Sequence, residues 1–347
     1  MPSRLETALL GLFLLAVAGA TLASETPTPG DGARLEDFDY PYSVDVYRFD
    51  SQRQPLEMAY MDVAPAPEKA NGRAVLLLHG KNFCAATWEG VIAPLREAGF
   101  RVIAPDQIGF CKSSKPRRYQ FSFHQLAANT HALLESIGVE RPIVMGHSMG
   151  GMLAVRYALQ YPDQVERLVL ANPIGLEDWL AKGVPYRTID RWYQGQLKTS
   201  AEGIAAYQRD TYYAGDWEPR YDRWVEMLAR QFEADRDLMA WESALTYDMI
   251  LTQPVVHRFG DIAVPTLLLI GERDNTAIGK KSAPEAVART LGDYPALARQ
   301  AAAAIPDATL ITFPELGHSP QIQDPERFNR TLLEQLLGQP SSAHRAQ

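Results

Sequence analysis

Short apolar runs alternate with amphipathic stretches along most of the 347 residues. Segments 42–49 and 56–63 repeat apolar positions with a period of two and are joined through Ser51-Gln52-Arg53-Gln54-Pro55, which predicts a hairpin. The run Ala74-Val75-Leu76-Leu77-Leu78 is continuously apolar, the mark of a strand covered on both faces of a largely parallel sheet. A helix is expected over 88–98, closed by Gly99, followed by a strand over 101–106. The next helix, over 121–137, carries Leu126, Thr130, Leu133, Leu134 and Ile137 on one stripe and ends at Gly138. A strand over 143–146, a glycine-rich turn, a helix from Met152 and a strand over 165–171 continue the alternation. Strand and helix exchanging at short spacing is the pattern of an α/β fold.

The rhythm breaks near Gly175. Between 175 and 259 no buried strand is apparent, yet Trp179, Trp192, Trp217, Trp224 and Trp241, five of the six tryptophans, fall there with seven tyrosines. Helical spacing over 224–232 points to an inserted helical cap after the sixth strand. Most of its aromatics are expected to form the core of the cap and a few to line a pocket beneath it. Strands over 266–271 and 308–313 then complete an eight-stranded, mostly parallel sheet flanked by helices. A closing helix over 325–337 has Asp324 as its cap and Pro325 at its first position. The division that follows is a core of 35–174 and 260–338, with the cap at 175–259.

The termini read differently. Arg4 precedes an apolar core over 8–20, and Thr21-Leu22-Ala23 offers small residues for cleavage, so 1–23 is read as a signal peptide, 24–34 as a flexible leader and 339–347 as a flexible tail. A membrane span needs about 20 apolar residues, so no stable span is expected after cleavage, and the protein is expected in the periplasm or secreted. A net charge of −8 without a basic stripe gives no attraction for nucleic acid. Each of the two cysteines, Cys84 and Cys111, follows a strand ending on the same side of the sheet. A disulfide between their loops is possible, the alternative being two small buried side chains.

One segment names a chemistry. Gly146-His147-Ser148-Met149-Gly150-Gly151 lies between a strand and a helix, where glycines let the chain turn sharply and present Ser148 as a nucleophile. A serine needs a base, and the base needs an orienting acid. Among seven histidines, His318 lies on a glycine-marked loop after the last strand, and Asp274 lies just after the preceding one. Their order along the chain is nucleophile, acid, base. Asp178 is the reserve acid. His147 is expected to pack inward or onto a neighbouring loop, His124 to be partly exposed on its helix, and His131, His257 and His344 have no assigned chemistry. No histidine and carboxylate set has metal-ligand spacing, so neither metal nor cofactor is expected.

The chain resembles the α/β-hydrolase superfamily, and more closely its cap-bearing serine esterase-like members. The resemblance runs over about 42–337 through His79-Gly80, Asp106-Gln107-Ile108-Gly109, the serine turn, Gly271-Glu272-Arg273-Asp274, and Gly317-His318 with Asp324-Pro325-Glu326-Arg327-Phe328. It implies that the backbone N–H groups of Lys81 and Met149 form the oxyanion hole, each worth on the order of 3 kcal/mol. His79 and Asp106 are implied to be structural loop organisers. Asn82 and Phe83 are candidate substrate contacts, Asn82 alternatively bonding its own turn. The Lys81 side chain is expected in solvent, with the binding of an acidic group as the other reading.

A serine at 148 differs from dehalogenase-like and epoxide-hydrolase-like relatives, which use aspartate. Relatives that cleave carbon–carbon bonds commonly carry tryptophan after the histidine, where this chain has Ser319. The Gly-Gly-Pro-Gly type of oxyanion loop seen in some peptidases is replaced by His79-Gly80-Lys81-Asn82-Phe83. The expected partner is therefore a small-molecule carboxylic ester. A small-amide or aminoacyl substrate is the alternative, and a non-catalytic exported binding protein the reading from another class.

Overall fold

The computed structural model describes residues 33–338. The expected signal peptide, most of the leader and the tail lie outside the described residues. The last two leader residues are packed. Ala33 is buried, and the Arg34 guanidinium donates to the Lys112 carbonyl at 2.9 Å and pairs with Glu57.

Eight strands form one sheet: β1 (Val44–Ser51), β2 (Gln54–Val63), β3 (Ala74–Leu78), β4 (Arg101–Pro105), β5 (Ile143–Ser148), β6 (Arg167–Pro173), β7 (Thr266–Gly271) and β8 (Ala308–Phe313). Their order is β1-β2-β4-β3-β5-β6-β7-β8, antiparallel from β1 through β2 to β4 and parallel thereafter. The first hairpin is tighter than its sequence suggests. Ser51 pairs with Gln54, and only Gln52 and Arg53 turn, at φ 49° and 63°. That left-handed pair is the conformation a two-residue hairpin requires, reached here without the usual glycine or asparagine.

Alternate residues of the central strands feed two apolar layers, because side chains along a strand point to opposite faces. Val75 and Leu77 face Val91 and Leu95 of α1 (Glu89–Glu97) together with Phe328 and Leu332 near the C-terminus. Leu76 and Leu78 belong to the other layer, with Leu126 and Leu133 of α2 (Phe123–Ser136) and Leu153 and Tyr157 of α3 (Met149–Gln160). Both layers are covered, which explains the uninterrupted apolar runs. Ser122 caps α2 by accepting from the Gln125 N–H at 3.1 Å, a contribution of about 1 kcal/mol.

After β6 the chain leaves the sheet for the cap: α4 (Ile189–Gln196), α5 (Ala201–Tyr207), α6 (Asp222–Ala234) and α7 (Arg236–Thr252). Most of its buried aromatics pack on one another and continue the apolar layer on one face of the sheet rather than forming a separate core. Trp192 of α4 stacks on Tyr247 of α7 with centroids 4.5 Å apart, and Tyr213 stacks on Tyr221 at 3.7 Å. The sheet then resumes, with α8 (Glu285–Ala288) and α9 (Tyr294–Ala304) between β7 and β8, and α10 (Pro320–Gln323) and α11 (Pro325–Leu336) closing the chain. The sequence pattern did not reveal α9, although Asp293 caps it by accepting from the Ala296 N–H. Asp324 caps α11 in the same way through the Arg327 N–H.

Cys84 and Cys111 are joined by a disulfide, with Cα atoms 5.9 Å apart. The bond ties the loop after β3 to the loop after β4, at the carboxyl ends of the parallel strands. Among the described residues no helix is long and apolar enough to cross a membrane.

Candidate active site

β5 runs two residues beyond the apolar segment and delivers Ser148 at its end, with φ 57° and ψ −123°, just before α3 begins. Few non-glycine residues adopt this conformation, and packing around the turn enforces it. A Cβ at Gly146 would lie 2.0 Å from the Gly150 carbonyl oxygen, and one at Gly150 would lie 2.1 Å from the Leu78 oxygen. Only glycine allows α3 to cross so close to β3 and β5. Ser148 is 6% exposed.

The loops after β7 and β8 meet beside it. A Cβ on Gly271 would strike the Gly317 oxygen at 2.1 Å, so the two loops pass in backbone contact. His318 Nδ1 donates to Asp274 Oδ2 at 2.6 Å, and both side chains are almost fully enclosed. Three donors converge on that carboxylate. Asn172 Nδ2 reaches Oδ2 at 3.0 Å and the Thr276 N–H reaches Oδ1 at 2.8 Å. The sequence reading missed Asn172. It sits at the end of β6 with φ 37°, and its Oδ1 accepts from the Gly271 N–H at 2.8 Å, fastening the β7 loop. An asparagine closing a strand on this side of the sheet was the available signal.

His318 Nε2 is buried and has no hydrogen-bond partner, so it is not bonded to Ser148 Oγ in this structure. In unliganded sites such bonds are often long and tighten only in the complex. His147 ties the serine turn to the loop after β8. Its Nε2 donates to the His318 carbonyl at 2.8 Å, and burial together with the neighbouring His318 holds its pKa well below the usual imidazole value. It therefore stays a neutral clamp.

The other anticipated residues lie close by. The Phe83 N–H donates to the Gly80 carbonyl at 3.1 Å, closing a turn through Lys81 and Asn82. A Cβ on Gly80 would come within 2.9 Å of Ser148 Cβ, which places this turn against the serine. Met149 is the first residue of α3, where a helix leaves its N–H groups without internal partners. The Asn82 amide donates to the Tyr212 hydroxyl at 2.8 Å instead of bonding its own turn. Phe83 is buried, with Tyr212 stacked on it at 5.1 Å, and Tyr212 also stacks on His318 at 5.1 Å. One cap tyrosine thus covers both loops.

His79 accepts from the Gln107 N–H through Nε2 and donates from Nδ1 to the Gly80 carbonyl, with burial lowering its pKa. Asp106 accepts from the Ala85 and Lys112 N–H groups and from the Tyr40 hydroxyl. Both hold loops together. Asp178, the reserve acid, pairs with His257 at 2.8 Å. His124 is exposed. Among the described residues, Cys84, Asp106 and Cys111 come close enough to surround a metal ion. Their sulfurs are bonded to each other, and the Asp106 oxygens are taken by the three donors just named.

The Lys81 side chain is a correction to the sequence reading. It is partly buried, where solvent was expected. Nζ donates to Ser243 Oγ at 2.6 Å and sits 3.8 Å from the centroid of the Tyr247 ring. Lys81, Asn82 and Phe83 line a narrow cleft of about 20 Å³ between the sheet loops and α6 and α7, together with Met227, Glu242 and Ser243.

A family model described as the alpha/beta hydrolase fold matches residues 73–325. A crystal structure of a probable hydrolytic enzyme from Pseudomonas aeruginosa PAO1 is 64% identical, with a TM-score of 0.87 and coverage of 89% of this chain and 98% of that one. A 2-hydroxy-6-oxononadienedioate/2-hydroxy-6-oxononatrienedioate hydrolase from Comamonas testosteroni is 28% identical over 274 residues, 77% of this chain and 88% of the relative. An esterase from Exiguobacterium antarcticum superposes with a TM-score of 0.63 at 18% identity, covering 81% of this chain and 96% of that one, a likeness of fold alone.

Proposed function

The chain belongs to the α/β-hydrolase fold family, and on that premise we propose that it is a serine hydrolase that cleaves carboxylic esters of small organic molecules through an acyl-enzyme. The observation that carries this reading is the His318–Asp274 hydrogen bond at 2.6 Å, with His318 Nε2 left free beside a serine turn. A proton fixed on Nδ1 leaves Nε2 as the basic nitrogen.

In this reading Ser148 Oγ attacks the acyl carbon while His318 Nε2 takes its proton. The carbonyl oxygen becomes an oxyanion held by the N–H groups of Lys81 and Met149. The tetrahedral intermediate collapses, the C–O bond breaks, and the proton passes from His318 to the departing alcohol. Water then attacks the acyl-enzyme by the same route, and the acid leaves. Asp274 orients the imidazole throughout, itself fixed by its three donors.

The Comamonas relative is named for 2-hydroxy-6-oxo dicarboxylates. The serine after His318, in place of tryptophan, supports esters over carbon–carbon cleavage for this chain. The disulfide supports a site of action outside the reducing cytosol, in the periplasm or medium, because such bonds persist in oxidising compartments. Screening 4-nitrophenyl esters of increasing acyl length beside aminoacyl 4-nitroanilides tests the reading. Turnover of esters with little or none of the anilides is expected; turnover of anilides alone would replace ester by amide hydrolysis.

A further inference from the structure

We propose that Lys81 has a second task beyond its backbone N–H: its ammonium group recognises a carboxylate on the acyl portion of the substrate, so that the preferred esters are half-esters of short dicarboxylic acids. The inference rests on the ester reading above and adds a substrate class to it.

Lys81 occupies a position from which both tasks are possible. Its backbone lies in the turn against Ser148, and its four-carbon stem carries the charge into the cleft under the cap. There the charge is held in place. Ser243 Oγ accepts from Nζ and donates onward to Gln196 Oε1 at 2.8 Å, while the Tyr247 ring lies beneath the ammonium. Neither Ser243 nor Tyr247 supplies a negative charge. Such a cation, desolvated by its surroundings, gains most from an anion that brings the missing charge.

The charged and titratable groups around this part of the cleft are Glu242 and Tyr247 on α7, Tyr207 and Tyr212 at and after the end of α5, Arg187 ahead of α4, and Lys115 and Arg117 on the loop after β4. Glu242 is the carboxyl group lining the same cleft, buried with both oxygens unpartnered. Burial raises it to about 8, opposed by the nearby Lys115 and Arg117, so at neutral pH it is mostly the uncharged acid. It therefore does not neutralise Lys81. The three tyrosines are raised further above their ordinary value by burial and stay neutral. Burial lowers Lys81 itself to about 7.

The two shifts act in one direction. Below about pH 7 the lysine is charged and Glu242 is neutral, which favours an anionic ligand. As pH rises past about 8 the lysine loses its proton and Glu242 ionises, and both changes weaken anion binding. A substrate carboxylate, with an ordinary pKa near 4.3, is ionised throughout that window.

The test compares 4-nitrophenyl hydrogen glutarate with 4-nitrophenyl pentanoate, acyl groups of equal length, and adds 4-nitrophenyl 6-aminohexanoate as the cationic probe. The quantity read is the ratio of kcat/KM for glutarate over pentanoate, within each protein and across pH 6 to 9. In the wild-type enzyme this ratio is expected to exceed about tenfold at pH 6, the gain of one charge-assisted hydrogen bond, and to fall steadily towards pH 9. Lys81→Met should lose the preference at every pH, and Lys81→Arg should keep it and extend it to higher pH. A wild-type ratio near one, a ratio independent of pH, or a preference for the aminohexanoate ester would overturn the proposal. Should Lys81→Met fail to fold, the wild-type pH series and the arginine variant decide. If no ester is turned over, the ester reading falls and takes this one with it; if pentanoate is turned over and glutarate is not preferred, only the assignment of Lys81 falls.

Discussion

Ester turnover is expected to drop by on the order of 10⁴-fold or more when Ser148 is replaced by alanine, with the fold unchanged. The hydroxyl is the only group removed, and it makes no hydrogen bond to His318 in the resting structure. Alanine has the same Cβ and meets the same backbone strain at φ 57° as serine does. The turn itself is imposed by Gly146 and Gly150 and by the crossing of α3 over the sheet, not by the side chain at 148. Far-UV circular dichroism and thermal denaturation should therefore match the wild type, and the pre-steady-state burst of 4-nitrophenol should vanish. Hydrolysis at wild-type rate in pure Ser148→Ala protein would remove the serine from the chemistry.

Asp274→Asn should be almost as damaging, with kcat reduced by on the order of 10³ to 10⁴-fold. The reason lies in the three donors that meet at this side chain. An asparagine offers one oxygen and one amide where the carboxylate offers two oxygens. If its NH₂ faces Thr276, it confronts the N–H that now donates to Oδ1 at 2.8 Å. If its NH₂ faces His318, it confronts Nδ1 and the Asn172 amide together, and the imidazole must move its proton to Nε2. In that tautomer the nitrogen towards the serine is no longer a base. The stop-flow burst rate measures the loss directly, and near-normal kcat in this variant would hand the orienting role to another carboxylate. Asp178 is poorly placed for it, since it already pairs with His257.

The sheet was legible because its physics is local. β3, β5 and β7 are buried on both faces, so each appears in the sequence as an unbroken apolar run, and the glycines around Ser148 report a turn that no larger residue could enter. Much of what escaped depends on contacts between distant residues. Asn172 acts on Gly271 and Asp274, each about one hundred positions away, and no periodicity marks such a partner. The Gln52-Arg53 turn carries no glycine or asparagine to announce its left-handed backbone, so the connection appeared longer than it is. In the cap, aromatic residues revealed buried packing without revealing directions. Tyr212 proved to reach His318 and Asn82, while Trp192 and Tyr247 stack on each other. Lys81 follows the same logic: the residue type favoured solvent, and only the placement of Ser243 and Tyr247 on α7 drew it under the cap.

The most direct test is covalent. A fluorophosphonate reacts with a serine only when a neighbouring base raises its nucleophilicity and an oxyanion hole receives the phosphoryl oxygen. Intact-mass analysis of the treated wild-type protein should show a single added phosphonyl group, peptide mapping should locate it on Ser148, and the His318→Ala protein should label far more slowly. An unmodified wild-type protein, or a label carried on any other residue, would contradict the account.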